Sequence, residues 1–376
     1  MDAKRVVFLD YLRVIAIFMV MVVHSCEQFY FGPDGGFLIK TPGDARWVVG
    51  LDSAVRACVP LFVMASAYLL FPVTRPTGEF LRRRLLRVGV PFALWCCVYN
   101  WWNGGTWGTM LFNFPSATGG HLWFVPMLFG LYLAMPLLSP WAEKATKKEL
   151  LGWIAVWLFT TTFPFLRGLW ATLYGNGWTH VFGEGNFDHI PFLYGECGWN
   201  SFGTFQYVSG FFGYMLLGLY ARKFLGELTW KRTLSAAVPL WAAGYAIVFC
   251  GFFFRIAKYG ATYPVSAGYA AAVDLETSWE FCSTGVALTV MAYFLVIRKL
   301  VADGAFYRCA IRPLSAASFG VYLVHILVLV PVCGALSPRL GTGATILGTA
   351  TATFLISSAF AYAVHRLPKV GKWIVG

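Results

Sequence analysis

Charge is scarce in this chain. Only 12% of its 376 residues are Asp, Glu, Lys or Arg, with 17 acids against 29 bases. So few charges cannot cover a soluble domain of this length. No stretch is polar enough to stand apart as a soluble domain, and no internal repeat is visible. The nine cysteines include no CxxC pair and no metal-ligand spacing; most lie in apolar runs, where cysteine is a small buried hydrophobe. The first apolar segment lacks a small-residue cleavage site and is too long and too charged for a signal-peptide core, so it reads as a retained span. What the chain has in abundance is apolar surface: 58% hydrophobic residues, 34 Phe, 16 Trp and a mean hydropathy of +0.64. The fold class is all-α, a polytopic membrane protein in one integral-membrane domain covering residues 1–376.

About ten apolar spans can be counted, at roughly 6–26, 55–72, 88–102, 121–139, 150–166, 204–221, 234–253, 282–297, 314–333 and 345–364. With the N-terminus inside, alternate connections hold 21 basic residues on the inner side and 7 on the outer side. That asymmetry predicts both termini in the cytoplasm. It also accounts for the net charge of +12 without nucleic acid.

The first span carries Asp10, Arg13 and His24. Ionisable groups at membrane depth are expensive and mark function. Eleven residues separate Arg13 from His24, which places them within about 20° of one helix face and roughly 16 Å apart along the axis. Asp10 is one turn before Arg13 and within pairing distance of it. The plain alternative is a topological anchor plus an interfacial histidine.

Further along, Leu81-Arg-Arg-Arg-Leu-Leu-Arg-Val-Gly-Val-Pro91 is the densest charge cluster. It is either the basic collar of a membrane helix or a polyanion site, with the guanidinium forks of Arg84 and Arg87 projecting together. His121-Leu-Trp-Phe124 opens a span in which Tyr132 precedes Pro136, a position expected to kink the helix and free a carbonyl. Trp123 reads as an interface aromatic. Residues 167–203 form the longest loop, with Trp178, Glu184 and Asp188 among its aromatic and acidic residues. Rings beside carboxylates suit a sugar, by stacking and hydrogen bonding; the rival reading is a loop lying in the interface. A metal set of His180, Glu184, Asp188 and His189 is conceivable there, but the reading requires no metal. His325 falls near mid-membrane in Ser318-Phe-Gly-Val-Tyr-Leu-Val-His325, either buried or lining a cavity.

Arginines near one surface and a histidine toward the other suit transfer of a group from an activated, phosphate-bearing donor to an acceptor across the membrane. A glycan transporter or flippase is the competing class. Paired Gly/Pro-broken helices and repeated halves, which a transporter would show, do not stand out. A sensor that kept the fold and lost catalysis is a third reading.

Five motifs in order resemble the membrane acyltransferase type 3 family. They are Phe8-Leu-Asp-Tyr-Leu-Arg13 with Val22-Val-His24, Val59–Tyr68, Arg84-Leu-Leu-Arg87 with Pro91, His121-Leu-Trp-Phe124 with Tyr132 and Pro136, and Ser318–His325. The form without a fused soluble domain is most similar to the enterobacterial common antigen O-acetyltransferase type. One departure is Ala65-Ser66-Ala67, which stands where many members have Ser-Gly. The resemblance implies ten spans in the bacterial inner membrane and acyl-CoA, acetyl-CoA above all, as donor. It implies O-acylation of a glycan, lipid-linked sugar or similar hydroxyl acceptor. It assigns His24 as the catalytic histidine with Asp10 and Arg13 beneath it, and Arg84, Arg87 and Tyr132 to the donor. Trp123, Trp178, Glu184 and Asp188 are the candidates for acceptor binding.

Overall fold

The computed structural model describes residues 5–30, 39–113, 120–162, 208–258, 278–368 and 370–376. All regular elements among them are helical. The apolar run at the start forms α1, Val7–Glu27, which sits at the centre of the bundle. Leu9, Leu12, Ala16, Ile17 and Met21 on it are almost wholly buried. It packs against α2 (Pro42–Val55) and α3 (Cys58–Leu70), and against two long helices late in the chain.

Between these come α4 (Thr77–Arg84), a π-helical turn at Leu85–Gly89, α5 (Val90–Trp102), α6 (Trp107–Asn113), a 3₁₀ turn at Gly120–Trp123, α7 (Phe124–Lys144) and α8 (Lys147–Thr160). They are followed by α9 (Phe212–Lys223), α10 (Trp230–Lys258) and α11 (Thr284–Ile297). A second π-turn, Tyr307–Ile311, leads into α12 (Arg312–Leu336), which pairs along its length with α13 (Thr342–His365); α14 (Gly371–Val375) closes the described chain.

Six helical stretches among the described residues are long and apolar enough to cross a membrane: Val7–Glu27, Pro42–Leu70, Gly120–Lys144, Trp230–Phe252, Tyr307–Leu336 and Thr342–His365. The bundle's outer surface is apolar too, with Leu137 81% and Trp101 77% exposed, as lipid contact requires. The expected count of ten is not reproduced. At three of the expected places the described helices are short, α8 with 14 residues, α9 with 12 and α11 with 14, whereas about 20 cross a full bilayer core; α5, with 13, continues the helical run that begins at Thr77. The expected spans at 150–166 and 204–221 also run into residues outside the described ones.

Residues 27–54, which fall between the first two expected spans, include nearly all of α2. Its start is written locally: Thr41 caps the helix, Pro42 supplies a pre-set first turn, and Asp44 returns the bond to the Thr41 backbone N–H at 2.9 Å. The Gly32–Gly36 turn cluster lies outside the described residues. Nor does Pro136 interrupt α7, which runs through Pro136 and Pro140 as one helix.

Small residues let α9 approach α3. A Cβ on Gly218 would lie 2.7 Å from the Met64 carbonyl oxygen and 2.8 Å from the Ala67 side chain, so Ala65-Ser66-Ala67 still supports close helix contact.

A buried ion pair ties α2 to the end of α1. Arg56 donates through Nε to Asp52 at 2.8 Å and through Nη2 at 2.7 Å, and also to the Tyr30 hydroxyl at 2.6 Å. Its guanidinium lies 5.1 Å from the Trp279 ring centroid. Breaking one side of such a pair costs about 3–5 kcal/mol. Asp52→Leu is therefore expected to lower the thermal unfolding temperature of the purified protein by several degrees, and Asp52→Leu/Arg56→Leu to recover part of the loss. A single variant that melts with the wild type would show that the pair carries no stability.

Candidate active site

One cavity of about 490 Å³ runs along α1 from its beginning to its end. Arg5, Asp10, Arg13, Arg84 and Arg87 line one end, with Tyr132 and Ser66 further in; His24, Glu27, His121, Trp123 and Phe281 line the other. Helix periodicity puts Arg13 and His24 on one wall, about 16 Å apart. Of the residues predicted from sequence, the cavity brings together His24, Asp10, Arg13, Arg84, Arg87, Tyr132 and Trp123. Trp178, Glu184, Asp188 and the conceivable metal set of the long loop lie outside the described residues. Among the described residues, no group of three His, Cys, Asp or Glu is placed to hold a metal ion.

At the arginine end, Asp10 is 2% exposed and shared among several donors. Arg5 donates to both its oxygens, at 2.6 and 3.0 Å; Tyr307 donates at 2.6 Å and Ser315 at 2.7 Å. The hydrogen bond to Asp10 raises the Arg5 pKa above its ordinary value. The expected Asp10–Arg13 pair is present at 3.9 Å, but Arg5 is the closer partner of the carboxylate. Arg5 precedes the helix, so helical spacing alone does not reveal it. Arg5 and Arg13 thus share one carboxylate, and Arg13 also lines the cavity.

Other basic residues are used differently. Lys223 donates to the carbonyls of Ala142, Glu143 and Ala145 at 2.7–3.0 Å, capping α7. Arg298 and Lys299 donate to the carbonyls of residues 225, 226 and 228. Arg75 and Arg83 pair with Glu79. These fit the collar reading. Arg84 does not: its Nε is buried with no hydrogen-bond partner, and its guanidinium is 5.9 Å from the Tyr132 ring, whose hydroxyl faces Arg84 and Ser66. One unpaired guanidinium N–H on a cavity wall is a donor that an anion would complete. The π-turn beginning at Leu85 carries Arg87 into the same cavity; such turns recur at functional sites.

At the histidine end, His24 Nδ1 is hydrogen-bonded to Glu27 Oε2, one turn further along α1. A carboxylate accepts, so Nδ1 holds the hydrogen, and in the neutral ring the lone pair is on Nε2. Arg56 lies close enough for its charge to act on Glu27. Two more imidazoles complete the cluster: His325 is 5.1 Å from His24, ring centre to ring centre, and His121 is 4.9 Å from His325. Trp123 faces Phe211 and Phe281, each at 5.7 Å.

Sequence reasoning missed Glu27, which reads as the polar end of a span, although its three-residue spacing from His24 is the available signal. It also missed the role of His121 at the site, since nothing local ties the start of α7 to α1.

The arrangement offers cationic donors at one end of a membrane-embedded cavity and a carboxylate-held imidazole at the other, a layout fit for group transfer from an anionic donor. No curated protein matches the chain, and no solved structure does. The family model described as an acyltransferase domain matches residues 6–362. A cavity of this kind and a match over nearly the whole length lead to one conclusion: this multi-pass, helical membrane protein belongs to the type 3 acyltransferase-domain family.

Proposed function

We propose that the protein is an O-acyltransferase of the bacterial cytoplasmic membrane that moves an acyl group, acetyl in the first instance, from acyl-coenzyme A to a hydroxyl of a glycan or lipid-linked sugar. Both termini face the cytoplasm in this reading, so donor binds from inside and acceptor from outside. The acyltransferase family match supports the reaction class. The observation that carries the reading is the single cavity joining Arg13, Arg84 and Arg87 to His24.

In this reading Arg84 and Arg87 hold the donor's phosphates, with Arg13 adding charge and Tyr132 positioning Arg84. Guanidinium forks match phosphate oxygens in geometry as well as sign. The long pantetheine arm follows α1 toward His24 and presents the thioester there. Glu27 holds the ring through Nδ1, which leaves Nε2 for the chemistry. His24 then accepts the proton of the acceptor hydroxyl as it attacks, or accepts the acyl group itself. Trp123, with Trp178, Glu184 and Asp188 of the long loop, is assigned to the acceptor.

If the arginines hold coenzyme A, the free coenzyme raises the unfolding temperature of the wild type. Arg84→Ala/Arg87→Ala then loses that rise, with affinity down about 10–100-fold. A transporter has no use for coenzyme A, so absence of any shift in the wild type favours the flippase reading.

With labelled acetyl-coenzyme A, His24→Ala is expected to slow thioester turnover by about 10²–10⁴-fold. Glu27→Gln offers an amide that can donate to Nδ1 and so fixes the wrong tautomer. It is expected to lower kcat strongly and leave KM for acetyl-coenzyme A near the wild-type value. Full activity of His24→Ala defeats the mechanism.

A further inference from the structure

His121 lies on the same cavity wall as His24, yet the mechanism above gives it no task. It is 8% exposed, and its Nε2 has no hydrogen-bond partner. The structure holds it firmly. The Tyr322 hydroxyl donates to its backbone carbonyl at 2.9 Å, and the Tyr99 ring meets its imidazole edge-on at 4.7 Å. Nε2 is buried beside the cavity, and in the neutral ring with the hydrogen on Nδ1 it keeps its lone pair. The His24 and His121 ring centres are 6.4 Å apart, so both rings border the same part of the cavity. His325 backs both rings, but its Nδ1 is bound to the Tyr322 carbonyl at 2.6 Å and it does not line the cavity.

We propose that His121 is a second catalytic residue, the base that activates the acceptor hydroxyl while His24 carries the acyl group. The proposal rests on the acyltransferase reading and deepens it. Nε2 of His24 attacks the thioester carbonyl, the C–S bond breaks, and its electron pair leaves on the thiolate of coenzyme A. The acyl group now caps Nε2, while Nδ1 is committed to Glu27. Acylated His24 therefore has no lone pair to take a proton from the acceptor. Nε2 of His121 takes it, as the hydroxyl oxygen bonds to the acyl carbon. The N–C bond breaks and returns its pair to His24. The proton then passes from His121 to the thiolate, so thioester and alcohol have become ester and thiol and both histidines are restored. Dividing one transfer between a carrier and a base is an established way to split a hard step into two easier ones.

The test uses full-length protein in detergent with acetyl-coenzyme A labelled in the acetyl group. His121→Gln keeps a polar side chain that cannot take a proton; His121→Phe keeps the ring. Both variants are checked for stabilisation by coenzyme A, so that loss of fold is seen separately. In each, about one equivalent of coenzyme A per protein is expected in a rapid burst, the label stays on the protein, and steady-state release falls about 10²–10⁴-fold. Hydroxylamine, a nucleophile that needs no base, is expected to remove the label from His121→Gln as fast as from wild type. His24→Ala is expected to show neither burst nor label. The proposal is overturned if the His121 variants turn over like wild type, or if they bind coenzyme A yet lose the burst as His24→Ala does. Wild type that leaves the thioester intact overturns the acyltransferase reading itself.

Discussion

A carboxylate buried among apolar helices has to be shared out among donors, and the sharing of Asp10 organises one half of this molecule. Left alone at such depth it would cost several kcal/mol. Arg5, Tyr307 and Ser315 together supply what water would have supplied. Two of those donors come from the π-turn at Tyr307–Ile311 and the α12 helix that follows it. The first and the penultimate long helices are thereby fixed at their shared end, and the cavity has a rigid floor. Arg5 and Arg13 together bring two positive charges to one carboxylate, which leaves this end of the cavity net positive.

The far half rests on the same rule. Glu27 is joined to His24, and Arg56 is joined to Asp52 and Tyr30. Each buried charge in this part of the protein therefore meets an opposite charge or a donor, and the field at the imidazole is set by fixed groups. Imidazoles of His121 and His325 bring no charge-balancing partner of their own. They gather around His24 through ring packing and through backbone carbonyls.

How much of this could be read in the residues differs by kind of signal. Periodicity was enough to place Arg13 and His24 on one face, because an unbroken helix converts spacing into direction. Arg84 and Arg87 were legible as a pair for the same reason. Arg5 was not, since it stands outside the helix, where residue spacing says nothing about reach. His121 meets His24 only through the fold of chain between α1 and α7, so no local pattern announces it. α2 was written plainly in Thr41-Pro42-Gly43-Asp44, and it was overlooked because hydropathy weighs that stretch as a loop. Six of the expected spans are long, apolar helices among the described residues, and the others coincide with described helices of 12–14 residues, too short by length alone to count.

The π-turn at Leu85–Gly89 has a geometric consequence of its own. A wider turn spends about one extra residue without adding a turn of helix, so everything before it is rotated by roughly 100° relative to everything after it. It acts as a phase shifter in an otherwise continuous helix from Thr77 to Trp102. Past it, α5 is free to turn Phe92, Trp95 and Cys96 into the protein and Leu94 and Trp101 outward. Before it, Arg84 faces inward where an uninterrupted α-helix carrying the same α5 would aim that position elsewhere. A lipid-facing pattern and an anion-facing pattern, incompatible on one regular helix, are thus carried by a single piece of chain.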